Sequence, residues 1–117
     1  MNERRTHQIN KLLHTELSGI LQRNFYGEFK GALISITEAS ISPDMSYAKI
    51  YISIFNFDKP NEVVDYLNSH QKNIRGILGN NISKQVRKIP ELTFFVDDSV
   101  EKIFKLDQHF KDNRKED

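Results

Sequence analysis

Between Ile74 and Val96 the sequence IRGILGNNISKQVRKIPELTFFV changes its apolar period across a proline. Ile74, Leu78, Ile82 and Val86 recur every four residues, which lays one slowly turning apolar stripe along a helix. Pro90 stops that helix, because a proline pushes the residue before it out of the α region. Leu92, Phe94 and Val96 then alternate with Thr93, Phe95 and Asp97, the two-residue period of a strand. The spacing predicts a helix that runs up to the proline and feeds directly into a strand. Residues 71–90 also hold five cations (Lys72, Arg75, Lys84, Arg87 and Lys88) and no acid. On such a helix Lys84 and Arg87 share the face turned from the core, with Asn73 and Asn80 beside them. Arg75 and Lys88 flank the stripe and lay their stems over the edge of the core. The expectation is a rigid rod whose outward cations meet an anionic partner.

The rest of the chain makes that segment stand out. Net charge is only +1 over 117 residues, yet residues 71–90 carry +5 while 31–70 and 91–117 carry −3 each. A nearly neutral protein with one basic segment can hold a polyanion on one face without binding every surface. The competing account is that these lysines and arginines simply solvate a helix. The length suits one domain with a real core: residues 1–106 as the folded unit and 107–117 as a charged, mobile tail. Zero cysteines rule out a disulfide scaffold, cysteine-ligated zinc and thiol chemistry. The amino terminus, MNERRTHQIN, lacks the apolar centre of a secretory signal, and no run is long enough to span a bilayer. A cytoplasmic location is expected.

In chain order, residues 3–24 read as a helix, with Ile9, Leu12, Leu13, Leu17, Ile20 and Leu21 repeating at three and four. Its polar side offers Arg4, Arg5, His7, Lys11 and His14. Residues 32–41 read as a strand whose apolar parity switches near Glu38, which predicts a bulge there. Ser42-Pro43-Asp44 is turn chemistry. Tyr47–Phe55 alternates cleanly, with Ala48, Ile50, Ile52 and Ile54 on one side, so the two strands form a hairpin. The opposite side, with Tyr47, Lys49, Tyr51 and Phe55, is the kind of face that stacks bases; without a glycine-aromatic signature, packing of Tyr47 and Tyr51 against Phe95 is the better account. Asp58 is expected to cap a short helix with Pro60 in its first turn, separated by a break at 68–72 from the basic helix. Asp98-Ser99 opens a tail helix that docks through Ile103, Phe104 and Leu106. A three-stranded sheet with helices packed on one face, an α+β fold, accommodates this order.

Catalysis finds no foothold. His7, His14, His70 and His109 have no metal-ligand spacing, and no nucleophile motif or phosphate loop occurs. No cofactor and no metal site is expected. Gly76-Ile77-Leu78-Gly79 matches the G-x-x-G loop of KH domains, but the apolar stripe runs straight through it, which places both glycines inside a helix. There they either admit a sugar-phosphate strand beside Arg87 or merely weaken the helix by about 1 kcal/mol each.

Taken together, Ile41-Ser42-Pro43-Asp44-Met45-Ser46-Tyr47-Ala48-Lys49-Ile50-Tyr51-Ile52-Ser53, Ile74-Arg75, Leu78-Gly79, Pro90-Glu91-Leu92-Thr93-Phe94 and Asp97-Asp98-Ser99 resemble the ribosome-binding factor A family. The opening helix, with Arg4-Arg5 and Glu16-Leu17, is similar too, and the resemblance covers residues 3–106. It implies a KH-like fold (type II, order α-β-β-α-α-β). It also implies a non-enzymatic, monomeric assembly factor that binds the free 30S subunit through 16S rRNA. Such a factor supports late maturation and processing of the 16S rRNA precursor, and matters most in the cold. The family's cationic RNA-binding face falls on Arg75, Lys84, Arg87 and Lys88, and on Arg4 and Arg5. The alternative is a general KH-type binder of single-stranded RNA using Gly76–Gly79. Two departures stand out: His70-Gln71-Lys72 replaces the family's Ala-x-Gly between the middle helices, and the stretch from Gly79 to Pro90 is slightly longer than in many relatives.

Overall fold

The first helix, α1 (Glu3–Asn24), turns Ile9, Leu13, Leu17, Ile20 and Leu21 inward, as the three-and-four spacing requires. A computed structural model of the chain describes residues 3–97 except 26 and 30. β1 (Leu33–Ile41) and β2 (Tyr47–Phe55) follow as an antiparallel hairpin. The register slips between Ile36 and Glu38, so Thr37 is the extra residue of the expected bulge. That slip moves Ala39 and Ile41 onto the same face as Ile36, which explains the broken parity. In the turn, Met45 takes a positive φ of 64° and donates its N–H to the Ser42 carbonyl.

Two helices come next, α2 (Pro60–Ser69) and α3 (Gln71–Ile82), divided by the single residue His70. Asp58 does not cap α2: the cap position is Lys59, one residue later, and no side chain bonds there. Pro60 fixes the first helical φ, so the start is set by the proline ring. His70 makes the break in place of a small-residue kink. Its ring stacks on Tyr66 at 4.1 Å, and its Nδ1 lies 2.8 Å from the Tyr66 carbonyl. β3 (Glu91–Val96) then runs parallel to β2, giving the sheet order β1-β2-β3.

The helices cover one face of this mixed sheet, and the α-β-β-α-α-β order is that of a KH-like fold. Ile50, Ile52, Leu92 and Phe94 from the sheet meet Leu13, Leu17, Leu67, Ile74 and Leu78, all essentially without exposure. Burying each such side chain contributes roughly 1.5–3 kcal/mol. Side chains cover part of each edge. Along β1, Asn10 Oδ1 accepts the Ile41 N–H at 2.8 Å, and His14 Nε2 sits 2.8 Å from the Ile36 carbonyl. Along β3, the Asn68 amide bonds both backbone groups of Phe94 (2.8 and 3.1 Å), and Gln71 Oε1 accepts the Leu92 N–H at 2.7 Å. The other face stays open: Tyr51 stacks on Phe95 as expected, while Leu33 and Phe55 are exposed. The anticipated tail helix at 98–106 lies outside the described residues.

Candidate nucleic-acid interface

The basic segment is not one rod. α3 stops at Ile82, where the Ser83 N–H closes the last turn onto the Gly79 carbonyl at 2.9 Å. Lys84, Arg87 and Lys88 therefore stand on a loop rather than on a helical face, and the expected pairing of Lys84 with Arg87 across one helix turn is absent. Asn80, Asn81 and Ser83 weaken the helix here, because their short polar side chains compete for nearby backbone groups. Tertiary contacts decide the exit. The Arg75 guanidinium donates from Nε to the Pro90 carbonyl and from Nη2 to the Ile89 carbonyl, both at 2.9 Å. Ile89 lies so near Gly79 that a Cβ there would be 3.4 Å from Ile89 Cγ1. To lie back along α3 in this way, the chain must leave the helix well before Pro90.

This loop completes a site that only the fold assembles. The Glu91 N–H donates to the Ser46 carbonyl at 3.0 Å, which pins the end of the loop to the β1–β2 turn. The first turns of α1 approach from the other side. Between them opens a cleft of about 480 Å³. Ile9, Ile41, Met45 and Val86 are among its apolar walls, and Arg5, Arg87 and Lys88 among its polar ones. All three of these cations are exposed, as are Arg4 and Lys84. Among the described residues, none of Arg5, Lys84, Arg87 and Lys88 enters an ion pair.

Across the cleft stands Asp44, whose sequence context marks it only as a turn residue. Its Oδ1 accepts from Ser42 Oγ at 2.8 Å, Ser46 Oγ at 2.7 Å and the Ser46 N–H at 3.1 Å. Those bonds, led by the Ser46 hydroxyl, lower its pKa from 3.8 to about 2 and keep the carboxylate ionised. No local signal links this turn to the loop some forty residues later; only the strand pairing does.

The six residues anticipated for RNA thus divide. Arg5, Arg87 and Lys88 converge on the cleft, Lys84 stands exposed at the start of the loop, and Arg4 is exposed in the first turn of α1. Arg75 is half-buried and spends its fork on two backbone carbonyls. Gly76 and Gly79 lie inside α3, so they form no clamp loop of the KH kind. Among the described residues no cluster of three or more acids and histidines is placed to hold a metal, and no helix is long and apolar enough to cross a membrane.

The sequence pattern of the ribosome-binding factor A family matches residues 5–110. The chain belongs to that family. A ribosome-binding factor A from Chlorobium phaeobacteroides is 35% identical over 96% of each chain. Another from Cytophaga hutchinsonii is 37% identical over 86% of this chain and 76% of its own. Among solved structures, the crystal structure of ribosome-binding factor A from Thermus thermophilus shares the fold, with a TM-score of 0.66 and 16% identity. That match covers 78% of this chain and 94% of the other. A second Thermus thermophilus structure, a homology model fitted into a cryo-electron-microscopy map of a 30S complex, matches with a TM-score of 0.61 and 17% identity. It covers 74% of this chain and 89% of its own. As a member of the ribosome-binding factor A family, the chain is a ribosome-binding factor of KH-like fold.

Proposed function

We propose that this ribosome-binding factor docks on the free 30S subunit through 16S rRNA and supports its late maturation, including processing of the 16S rRNA precursor. It acts as a cytoplasmic monomer, without catalysis, cofactor or small-molecule substrate, and its contribution is greatest in the cold. The observation that carries this reading is the meeting of Arg5 with Arg87 and Lys88 around one cleft, in a chain otherwise close to neutral. Cations brought together from distant parts of the chain suit the phosphates of a folded RNA better than those of a flexible strand. The Thermus thermophilus relative whose coordinates were fitted into a 30S complex supports the same partner.

In this reading Arg4, Arg5, Lys84, Arg87 and Lys88 meet rRNA phosphates, which position the protein but read little sequence. Arg75 holds the loop at the height where those contacts form. Sedimentation of purified 30S subunits with the protein tests it. Arg87→Glu with Lys88→Glu should abolish co-sedimentation at physiological salt while leaving the unfolding midpoint unchanged. With five phosphate contacts the logarithm of affinity should fall against the logarithm of salt with a slope of about −3.5 to −4.5. A slope near zero, or full binding by the double variant, would refute the assignment.

A further inference from the structure

We propose that the cleft between the start of α1, the β1–β2 turn and the 83–90 loop is a pocket for one unpaired RNA base. This deepens the proposed function and rests on it: phosphates bring the RNA to the loop, and the pocket takes a base that has left the stack. Three observations meet there. The cleft measures about 480 Å³, inside the range of roughly 300–1,000 Å³ typical of ligand sites. Its walls are aliphatic, from Ile9, Ile41, Met45 and Val86, as a flat base requires on leaving water. Its polar groups are of two kinds, cations in Arg5, Arg87 and Lys88 and a carboxylate in Asp44.

That combination is selective. A phosphate satisfies the arginines and the lysine but only repels Asp44. An acyl chain fills the aliphatic walls but offers the carboxylate no proton. A nucleotide supplies an apolar plane, an anionic handle and N–H donors on the edge of its base. Asp44 is built to accept such a donor. The bonds that Ser42 and Ser46 give it all fall on Oδ1 and fix the group, which leaves Oδ2 as the oxygen to meet a ligand. An amino-bearing base (adenine, cytosine or guanine) donates to that oxygen; the edge of uracil sets carbonyl oxygens on both sides of its single N–H. Neither Gly76 nor Gly79 lines the pocket, and both lie inside α3, so it is not the KH clamp in another guise.

The test uses the full chain and RNA hairpins that differ at one bulged position, which carries cytidine, uridine or an abasic ribose. All three present the same phosphates. We expect the cytidine RNA to bind about tenfold more tightly than the abasic one, from burial of the base and its bond to Asp44, with uridine in between. Val86→Phe, which fills the cleft from a half-buried loop position, should bring cytidine binding down to the abasic level and leave abasic binding and its salt slope unchanged. The wild-type comparison stands even if that variant folds poorly. Equal affinity of the wild type for the cytidine and abasic RNAs overturns the pocket while leaving phosphate docking intact. Salt-independent binding, or no binding to any of the three, overturns both.

Discussion

The two ends of the helical layer are finished in opposite ways. At one end, where α1 runs into the link to β1, rings close the core. Phe25 meets Tyr66 and His70 edge-on at 6.0 Å, Phe29 meets Tyr66 and Phe57 at 5.3 and 5.4 Å, and Tyr66 stacks on His70. At the other end, where α1 begins and α3 stops, the apolar side chains reach the surface and cations surround them. The same aliphatic core lies between. Under the proposed function the difference assigns stability and recognition to separate ends of the molecule, so substitutions should sort by end.

The sharpest way to break that division is Phe25→Ala. Deleting a buried ring that anchors the aromatic end should cost about 3 kcal/mol, read by urea denaturation. Affinity for 30S subunits should stay at the wild-type level under conditions where the protein remains folded. A loss of affinity without a loss of stability would break the comparison. Next in size is Arg75→Met, at the open end but inward-facing. Removing a charged donor from the Ile89 and Pro90 carbonyls should cost about 2 kcal/mol and speed hydrogen exchange along 83–90. Arg75→Lys should not restore it, because one ammonium cannot reproduce the planar fork.

A smaller effect, of opposite sign, sharpens the contrast. Gly76 sits mid-helix with nothing within 4 Å of an added Cβ, so Gly76→Ala should stabilise by up to about 1 kcal/mol. Should it instead weaken RNA binding, the phosphate backbone approaches α3 more closely than the loop contacts imply. The smallest effect is the pH response of Asp44. Its folded pKa is about 2 against an ordinary 3.8, so its hydrogen bonds contribute fully above 3.8 and are lost as pH falls through 2. The Ser46 amide resonance should titrate with a midpoint near 2; a midpoint near 4 would show that the turn is not preorganised.

The sequence made the fold legible wherever period and burial coincide. Alternation gave the full extent of β2, three-and-four spacing gave α1, and the parity switch near Glu38 located the bulge within one residue. Period misled at the end of α3. Val86 keeps the four-residue spacing and still packs on the core, but from a loop. The stripe therefore reports burial and not helicity, and Pro90 was an obvious but late place to stop. Asp58 failed as a cap for a related reason: the proline fixes the helix start without help from a side chain. The candidate site was legible as a list of charges and not as an arrangement. Arg75 bonds carbonyls, which have no letter in the sequence, and Arg5 shares a cleft with Arg87 only because β3 pairs with β2.

The side chains along the margins of the sheet carry a last consequence. Asn10 and His14 on one side, and Asn68 and Gln71 on the other, occupy backbone groups that an incoming strand would need. Along β3 a peptide could lengthen the sheet only by first prising an amide away from Phe94 or Leu92. Where those side chains sit, edge-to-edge pairing between copies of the molecule is blocked, and a partner there must engage the surface through side chains instead.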